Sequence, residues 1–367
     1  MKNTYGNAIT VTLFGESHGS KIGAVLDGLA PGIAIDTDYI DKKLAMRRPS
    51  GVISTARVEA DKYEIVSGVY NGYTTGTPLT IIIENNNTKS SDYCELIDKP
   101  RPSHADYTAT VKYHGYQDPR GGGHFSGRIT AAMVAAGAIL SSALESRGIV
   151  IATHISELGG ICDRGFCDAS ADAKVLNSAH FPVLSEDSAT NMTAAIEAAA
   201  KDGDSVGGVL ETVILGVPAG LGEPWFDSVE SQLSHILFSI PGIKGVEFGD
   251  GFALTRMRGS ESNDAFRIEG GKVVTETNRQ GGINGGITNG MPIIMRSAVK
   301  PTPSIYKEQM TVDLKSMTNT TVKVKGRHDP AIIHRARAVV DAAAAIAIAD
   351  MLTVRYGTDC LAEGFSR

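Results

Sequence analysis

The stretch RGGGHFSGR, residues 120–128, leads directly into an apolar segment at residues 129–147. Its three consecutive glycines lack the Cβ atoms that would keep a ligand away from the backbone, and they permit positive φ. Successive N–H groups can therefore point into one concavity. The apolar segment has helical spacing, and the start of a helix also favours negative charge. The stretch predicts an anion-binding loop before a helix; the alternative is a flexible loop whose two arginines are solvated.

Composition is that of an ordinary globular protein. The 367 residues are 42% hydrophobic and 21% charged, with a formal net charge of −6 and no polybasic block. This balance argues against nucleic acid or an anionic membrane as the main partner. Four cysteines without a C-x-x-C pair are typical of a reduced protein, and the first residues lack the apolar region of a signal peptide. We expect a cytoplasmic protein without a metal site.

Glycine and aromatic content bound the fold class. With 41 glycines and 6% aromatic residues, a loop-rich α/β or α+β protein is expected. The apolar segment 336–354 contains Arg337, Asp341 and Asp350, which predicts a core helix and not a membrane span.

Local signals place several further elements. Residues 8–14 alternate as in a strand, which ends in the turn GESHG at 15–19. Asp36 or Thr37 caps a short helix that must stop before Pro49. Arg47 and Arg48 at its end either complement the helix dipole or bind a ligand. Helices are expected at 188–201, 229–238 and 332–356, strands at 149–155 and 206–217, and irregular structure at 162–184.

Three polar clusters carry candidate chemistry. His18 lies in the GESHG turn, His104 lies in RPSHADYT at 101–108, and Asp329 lies in GRHDP at 326–330. Asp329 either caps the final helix or acts as a buried proton acceptor. A second glycine-rich loop, at 279–287, and the stiff segment KPTPS at 300–304 could close on the same ligand. Histidine titrates near neutral pH, so these parts indicate an anion-binding enzyme that moves protons.

The same motifs resemble chorismate synthase in order and spacing. The resemblance rests on GESHG, RPSHADYT, RGGGHFSGR, KPTPS and GRHDP, and extends from about residue 5 to about residue 355. It implies an α+β fold, a β-α-β sandwich with helices packed between antiparallel sheets, as a single domain over residues 1–367 in a homotetramer. It also implies 1,4-anti elimination of phosphate from 5-enolpyruvylshikimate 3-phosphate to give chorismate. Reduced FMN would be required, without net redox change.

The resemblance also implies roles for individual residues. His104 resembles the acid that protonates the departing phosphate or keeps it monoanionic, and His18 the group that protonates reduced flavin near N1. Ser17 and Asp329 resemble a relay that takes the flavin N5 proton, with Asp329 as the terminal base. Flavin contacts are implied at His124, Phe125, Ser126, Gly285, Lys300, Pro301, Thr302, Pro303, Ser304 and Arg327. Substrate phosphate and carboxylates are implied to bind Arg47, Arg48, Arg128 and Arg335, and Arg47 also matches a position that contacts NADP in the family.

The chain departs from the family pattern at a few positions. Ile53 occupies the place where many members have a second arginine for the dinucleotide. We therefore expect a monofunctional enzyme that receives reduced flavin from an external reductase, with NADPH as an indirect reductant. Ala331, Ala338 and Asp341 replace a cysteine, a proline and a glutamate, which we interpret as packing changes behind the site.

Overall fold

The computed structural model of the chain describes residues 2–49, 53, 61–85, 97–324, 326 and 328–362. Within these ranges the chain forms nineteen strands and eight helices. The strands are β1 (Thr4–Tyr5), β2 (Thr10–Gly15), β3 (Lys21–Asp27), β4 (Pro31–Ala34), β5 (Tyr63–Ser67), β6 (Val69–Tyr70), β7 (Tyr73–Thr75), β8 (Leu79–Glu84), β9 (Val150–Leu158), β10 (Ile161–Cys162), β11 (Gly208–Leu215), β12 (Ile243–Phe248), β13 (Phe266–Glu269), β14 (Lys272–Thr275), β15 (Ile283–Asn284), β16 (Ile287–Thr288), β17 (Ile293–Val299), β18 (Gln309–Asp313) and β19 (Thr318–Val322). The helices are α1 (Thr37–Arg47), α2 (Asp106–Lys112), α3 (Thr130–Ser146), α4 (Ala169–Leu176), α5 (Glu186–Lys201), α6 (Val229–Leu237), α7 (Gly259–Ser262) and α8 (Ile333–Tyr356).

Two antiparallel sheets form the outer layers. Sheet one has the strand order β1-β2-β3-β8-β5, and sheet two has the order β10-β9-β11-β17-β12. Along β8 and β17 every second residue is buried, as expected for strands with one face on a core. The remaining strands form smaller sheets outside these two. They are a three-stranded sheet (β4-β7-β6) and the hairpins β13-β14, β15-β16 and β18-β19.

Helices fill the space between the two sheets. Helix α3 packs on β3 and β8 of sheet one, α8 packs on β9 and β11 of sheet two, and the two helices pack on each other. Almost every residue of α3 is buried, because the sheet covers one side and neighbouring helices cover the other. The predicted β-α-β sandwich is confirmed.

Helix α3 and its preceding turn, Gly127–Ser146, are long and apolar enough to cross a membrane, but most of this segment is buried inside the protein. It is the central helix of the core. Arg337, Asp341 and Asp350 of α8 are likewise buried. Asp341 lies 3.7 Å from the Lys43 ammonium and accepts a hydrogen bond from Thr153, and Asp350 accepts from the N–H groups of residues 7–9. The prediction of a core helix at 336–354 is confirmed.

Helix ends agree with the local signals. The Asp36 carboxylate accepts a hydrogen bond from the Tyr39 N–H at 2.9 Å and caps α1, which ends at Arg47 before Pro49. Gly148 follows α3 with φ 76°, and Gly357 ends α8 with φ 88°. Both glycines adopt the left-handed region that helix termination requires.

The prediction of irregular structure at 162–184 is wrong, because α4 lies within it. Asp168 caps this helix by accepting from the N–H groups of Ser170 and Ala171. Ala173 and Leu176 pack on Ala152 and Val213, on the face of sheet two opposite α8. An aspartate cap before an alanine-rich run was the available signal.

Gly137 sets the approach of α3 to α8. A Cβ added there would lie 2.4 Å from the Ala342 Cβ and 2.8 Å from the Ala342 carbonyl oxygen. We predict that Gly137→Ala lowers the free energy of unfolding by about 1–3 kcal/mol through overpacking, although alanine favours a helix over glycine. Urea unfolding measures the change. Gly165→Ala, where an added Cβ meets open space, is the control, and equal stability of the two variants would contradict the close contact.

Candidate active site

The glycine-rich loop forms a tight turn over Arg120–Phe125 immediately before α3. Gly121, Gly122 and Gly123 have φ values of 59°, 88° and 53°. A Cβ at Gly121 would lie 2.0 Å from His18 Cε1, and a Cβ at Gly122 would lie 3.4 Å from His104 Nε2. The two histidines thus lie against consecutive glycines, and the first approach is possible only because Gly121 has no side chain.

The Ser17–His18 turn is attached to this loop by several bonds. The Ser17 N–H donates to the Gly123 carbonyl at 3.1 Å, and the Ser17 hydroxyl donates to the Gly121 carbonyl at 3.1 Å. The His124 ring donates from Nδ1 to the Gly15 carbonyl at 2.8 Å. Because these bonds run in both directions between the segments, the turn and the loop are held as one unit.

Residues 15–19 also match the pattern G-x-S-x-G, in which a strained turn between a strand and a helix exposes a nucleophilic serine. Here the turn joins two antiparallel strands, β2 and β3. Ser17 is buried, and its hydroxyl donates to loop carbonyls. This geometry does not match a nucleophile elbow.

His104 lies within an ion-pair network. Its Nδ1 is 2.6 Å from an Asp106 carboxylate oxygen. Arg101 binds both oxygens of that carboxylate, from Nε and Nη2, each at 2.8 Å. Burial alone would raise the pKa of the Asp106 carboxyl, but hydrogen bonds from Arg101 and His104 hold that pKa well below its ordinary value.

The segment 300–304 reaches the same network. Arg101 donates from Nη1 to the Ser304 hydroxyl at 3.3 Å, and the Lys300 ammonium donates to the Ser103 carbonyl. Partial burial and the nearby Lys244 lower the pKa of Lys300. The Thr302 carbonyl accepts from the Ser205 hydroxyl at 2.8 Å, while Pro301 is exposed and Pro303 is half-buried.

Two buried arginines share one carboxylate. Arg47 Nη1 lies 2.9 Å from one oxygen of Asp61, and Arg128 Nη1 binds the other. Arg128 also donates from Nε to the Asn85 side-chain carbonyl at 2.9 Å. The amide of Asn85 donates to the Glu16 and Gly19 carbonyls of the Ser17–His18 turn. Asn85 therefore connects the arginine pair to that turn.

Asp329 lies near the start of α8 and pairs with Arg335. Arg335 Nη1 is 2.5 Å from the Asp329 carboxylate, and its Nε donates to the Arg47 carbonyl at 2.7 Å. The N-cap of α8 is Ile332, three residues after Asp329, and the structure shows no side-chain cap hydrogen bond at this position. The interpretation of Asp329 as a helix cap is therefore wrong.

The remaining predicted residues are dispersed around this cluster. Phe125 packs edge-on against Tyr113, and the Ser126 hydroxyl accepts from the Arg128 N–H. Arg48 is half-buried, and its Nε has no hydrogen-bond partner among the described residues. Gly285 is exposed at the tip of the β15-β16 hairpin, whose Gly286 approaches Glu223 and Ser228. Arg327 lies outside the described residues, and Ile53 is buried.

Cations outnumber carboxylates in the cluster. Among the described residues, the carboxylates of the cluster are those of Asp61, Asp106 and Asp329. The cationic side chains are those of Arg47, Arg48, Arg101, Arg128, Arg335 and Lys300. The balance suits a ligand with several negative charges.

Known proteins match this chain over almost its whole length. The family model described as chorismate synthase matches residues 9–353. The chain belongs to the chorismate synthase family. It is 47% identical over 348 residues to the chorismate synthase of Korarchaeum cryptofilum, covering 94% of this chain and 96% of that one. It is 46% identical over 359 residues to the enzyme of Dehalococcoides mccartyi, covering 97% and 98%.

The fold of the family is also matched. A solved crystal structure of chorismate synthase aligns with a TM-score of 0.75 at 27% identity, covering 96% of this chain and 94% of that one. The resemblance found from motifs is therefore confirmed.

Sequence reasoning missed three residues that hold the cluster together: Asp61, Asn85 and Arg101. Each acts through partners far away in sequence or through a bidentate ion pair. A lone aspartate or asparagine in a polar stretch carries no local signal of such a partner. Asp106 did carry a local signal, because its position two residues after His104 indicated that the two side chains could contact each other, as they do.

Asp61 compensates two buried positive charges, so its loss should be costly. We predict that Asp61→Ala lowers the free energy of unfolding by about 3–5 kcal/mol, the scale for breaking a buried ion pair. The matched control is Asp172→Ala, which removes a carboxylate from the single, more exposed Arg164 and should cost less, about 1–2 kcal/mol. Urea unfolding of both variants tests this, and equal losses would show that Asp61 does not compensate the pair.

Proposed function

We propose that this chain catalyses the 1,4-anti elimination of phosphate from 5-enolpyruvylshikimate 3-phosphate to give chorismate, the last common step towards the aromatic amino acids. The observation that carries the proposal is the approach of His18 and His104 to adjacent glycines of one loop, beside an excess of cationic side chains. The enzyme is a carbon–oxygen lyase. Elimination needs cations for the leaving phosphate and groups that hold and move protons, and the cluster contains both.

The residues present fit a reduced FMN. Because Gly121 and Gly122 have no side chains, the His18 and His104 rings pack directly on the loop backbone. The nearby cationic side chains suit the phosphate of FMN. When bound, reduced FMN supplies electron density to the substrate ring. The residues proposed to hold it are His124, Phe125, Ser126, Gly285, Lys300, Pro301, Thr302, Pro303, Ser304 and Arg327, and Arg47 is proposed to contact NADP.

Protons are handled by four side chains in this proposal. His104 provides a proton to the departing phosphate, and His18 holds one at the flavin side of the loop. Ser17 and Asp329 form the relay that accepts the proton removed from the reaction, with Asp329 as the terminal base. Support for Asp329 comes from its pairing with Arg335, whose Nε donates to the Arg47 carbonyl and so connects Asp329 to the other arginines of the site.

The arginines are proposed to bind the anionic groups of the substrate. Arg47, Arg48, Arg128 and Arg335 lie on three elements that converge near the glycine-rich loop. Planar guanidinium groups suit bidentate binding of carboxylate and phosphate.

We further propose a monofunctional cytoplasmic homotetramer, with each chain a single domain over residues 1–367. One hydrophobic cluster reaches from Ile9 to Leu361, which supports a single domain. Ile53 in place of the expected arginine supports an external flavin reductase that uses NADPH.

An anaerobic assay tests the proposed function. Protein mixed with substrate and dithionite-reduced FMN should release phosphate and form chorismate in equal amounts, whereas NADPH with oxidised FMN should support little turnover. Binding of FMN by folded protein without phosphate release would contradict the proposal. Turnover with NADPH alone would contradict only the external reductase.

The relay makes a separate prediction. Asp329→Asn should lower turnover by roughly 10²-fold or more, the scale for a lost proton-transfer group. Asp172→Asn removes the charge of another arginine-paired carboxylate, on the opposite side of sheet two, and should leave turnover unchanged. A wild-type rate for Asp329→Asn would reject the relay while the family assignment stands.

A further inference from the structure

The environment of His104 contains a carboxylate with no assigned role. Asp106 Oδ1 lies 2.6 Å from His104 Nδ1 and 2.8 Å from Arg101 Nη2. Asp106 Oδ2 accepts from Arg101 Nε at 2.8 Å and from the Arg101 N–H at 3.0 Å. Both oxygens are therefore occupied, and the carboxylate is fixed relative to the histidine ring.

The two groups beside His104 Nδ1 determine which ring nitrogen of the neutral histidine carries the hydrogen. A carboxylate only accepts hydrogen bonds, so Nδ1 must donate at this short distance. Arg101 Nη2 also lies 3.1 Å from Nδ1, but a guanidinium has no lone pair with which to accept that hydrogen. The neutral ring is thus the Nδ1–H form, and Nε2 is left for chemistry.

The direction of Nε2 agrees with this assignment. Nε2 lies 3.4 Å from the Cβ position of Gly122, on the glycine-rich loop. The His104 side chain is 16% exposed. The nitrogen that exchanges its proton therefore faces the loop, where the proposed function places the reacting molecules.

We infer that Asp106 is a positioning residue, which fixes the orientation and tautomer of His104 and is itself held by Arg101. The inference rests on the proposed function for its chemical consequence. The proton on Nε2 passes to a phosphate oxygen as the C–O bond breaks and the electron pair leaves with phosphate. Before the transfer, the Asp106 carboxylate stabilises the imidazolium form of His104. After the transfer, neutral His104 keeps its Nδ1 hydrogen, which still donates to Asp106.

The first test uses the ligand-free protein and no turnover. Histidine-selective ¹⁵N NMR should show His104 as the Nδ1–H tautomer at high pH, with its signals assigned by their loss in His104→Gln. In Asp106→Asn the Nε2–H tautomer should become populated, while Asp172→Asn should leave the His104 signals unchanged. The Nε2–H tautomer in the wild type would overturn the inference.

The second test measures kinetics with reduced FMN. Asp106→Asn should lower kcat by roughly 10²-fold with a smaller change in KM. The pH dependence of kcat should also differ from that of the wild type, because His104 loses the negative charge beside its Nδ1. Asp106→Glu should restore part of kcat. The control is Asp172→Asn, since Asp172 also binds an arginine through both oxygens and accepts from a backbone N–H; this variant should behave as wild type.

The outcomes separate the two proposals. No turnover by the wild type rejects the proposed function and leaves the tautomer measurement valid. A wild type that turns over, with Asp106→Asn unchanged in kcat and pH profile, rejects the positioning role alone. If Asp106→Asn fails to fold by circular dichroism, the tautomer of His104 in the wild type carries the test, and the Nε2–H form there would overturn the inference.

Discussion

The absence of side chains at Gly121 and Gly122 is the constraint on which the site depends. The His18 ring occupies the space that a Cβ at Gly121 would take, and the loop conformation that permits this needs positive φ at three consecutive positions. An L-residue with a side chain would be strained there as well as obstructed. One backbone feature thus brings together the Ser17–His18 turn and His104, which are separated by more than eighty residues.

The core helix α3 holds the glycine-rich loop in place. Helix α3 begins at Thr130, and its buried faces are held between sheet one and α8. Thr130 and the Gly127 carbonyl in turn contact Arg47. The core therefore fixes one end of the loop, while Ser17 and His124 fix its middle through backbone carbonyls. The small-residue core helix and the glycine-rich loop are in this way held together as one unit.

Local features were predictable from the sequence, and long-range ones were not. The cap at Asp36, the stops at Gly148 and Gly357 and the positive φ of the loop follow from residue type. The sandwich itself was predicted from the family resemblance, because periodicity alone left α/β and α+β open. Helix α4 was missed despite its aspartate cap.

The polar contacts of the site show the same division. Asp61 joins Arg47 to Arg128, and Asn85 joins Arg128 to the Ser17–His18 turn, through pairings that only the folded chain defines. The roles of the predicted residues in binding and proton transfer stay predictions.

The most direct measurement of the central claim is the rate of chorismate formation by Gly121→Ala relative to Gly115→Ala, whose glycine also has positive φ but borders open space. The account predicts a loss of roughly 10²-fold for Gly121→Ala alone, as expected when a reacting group is displaced by about 1 Å; equal rates for the two variants would contradict it.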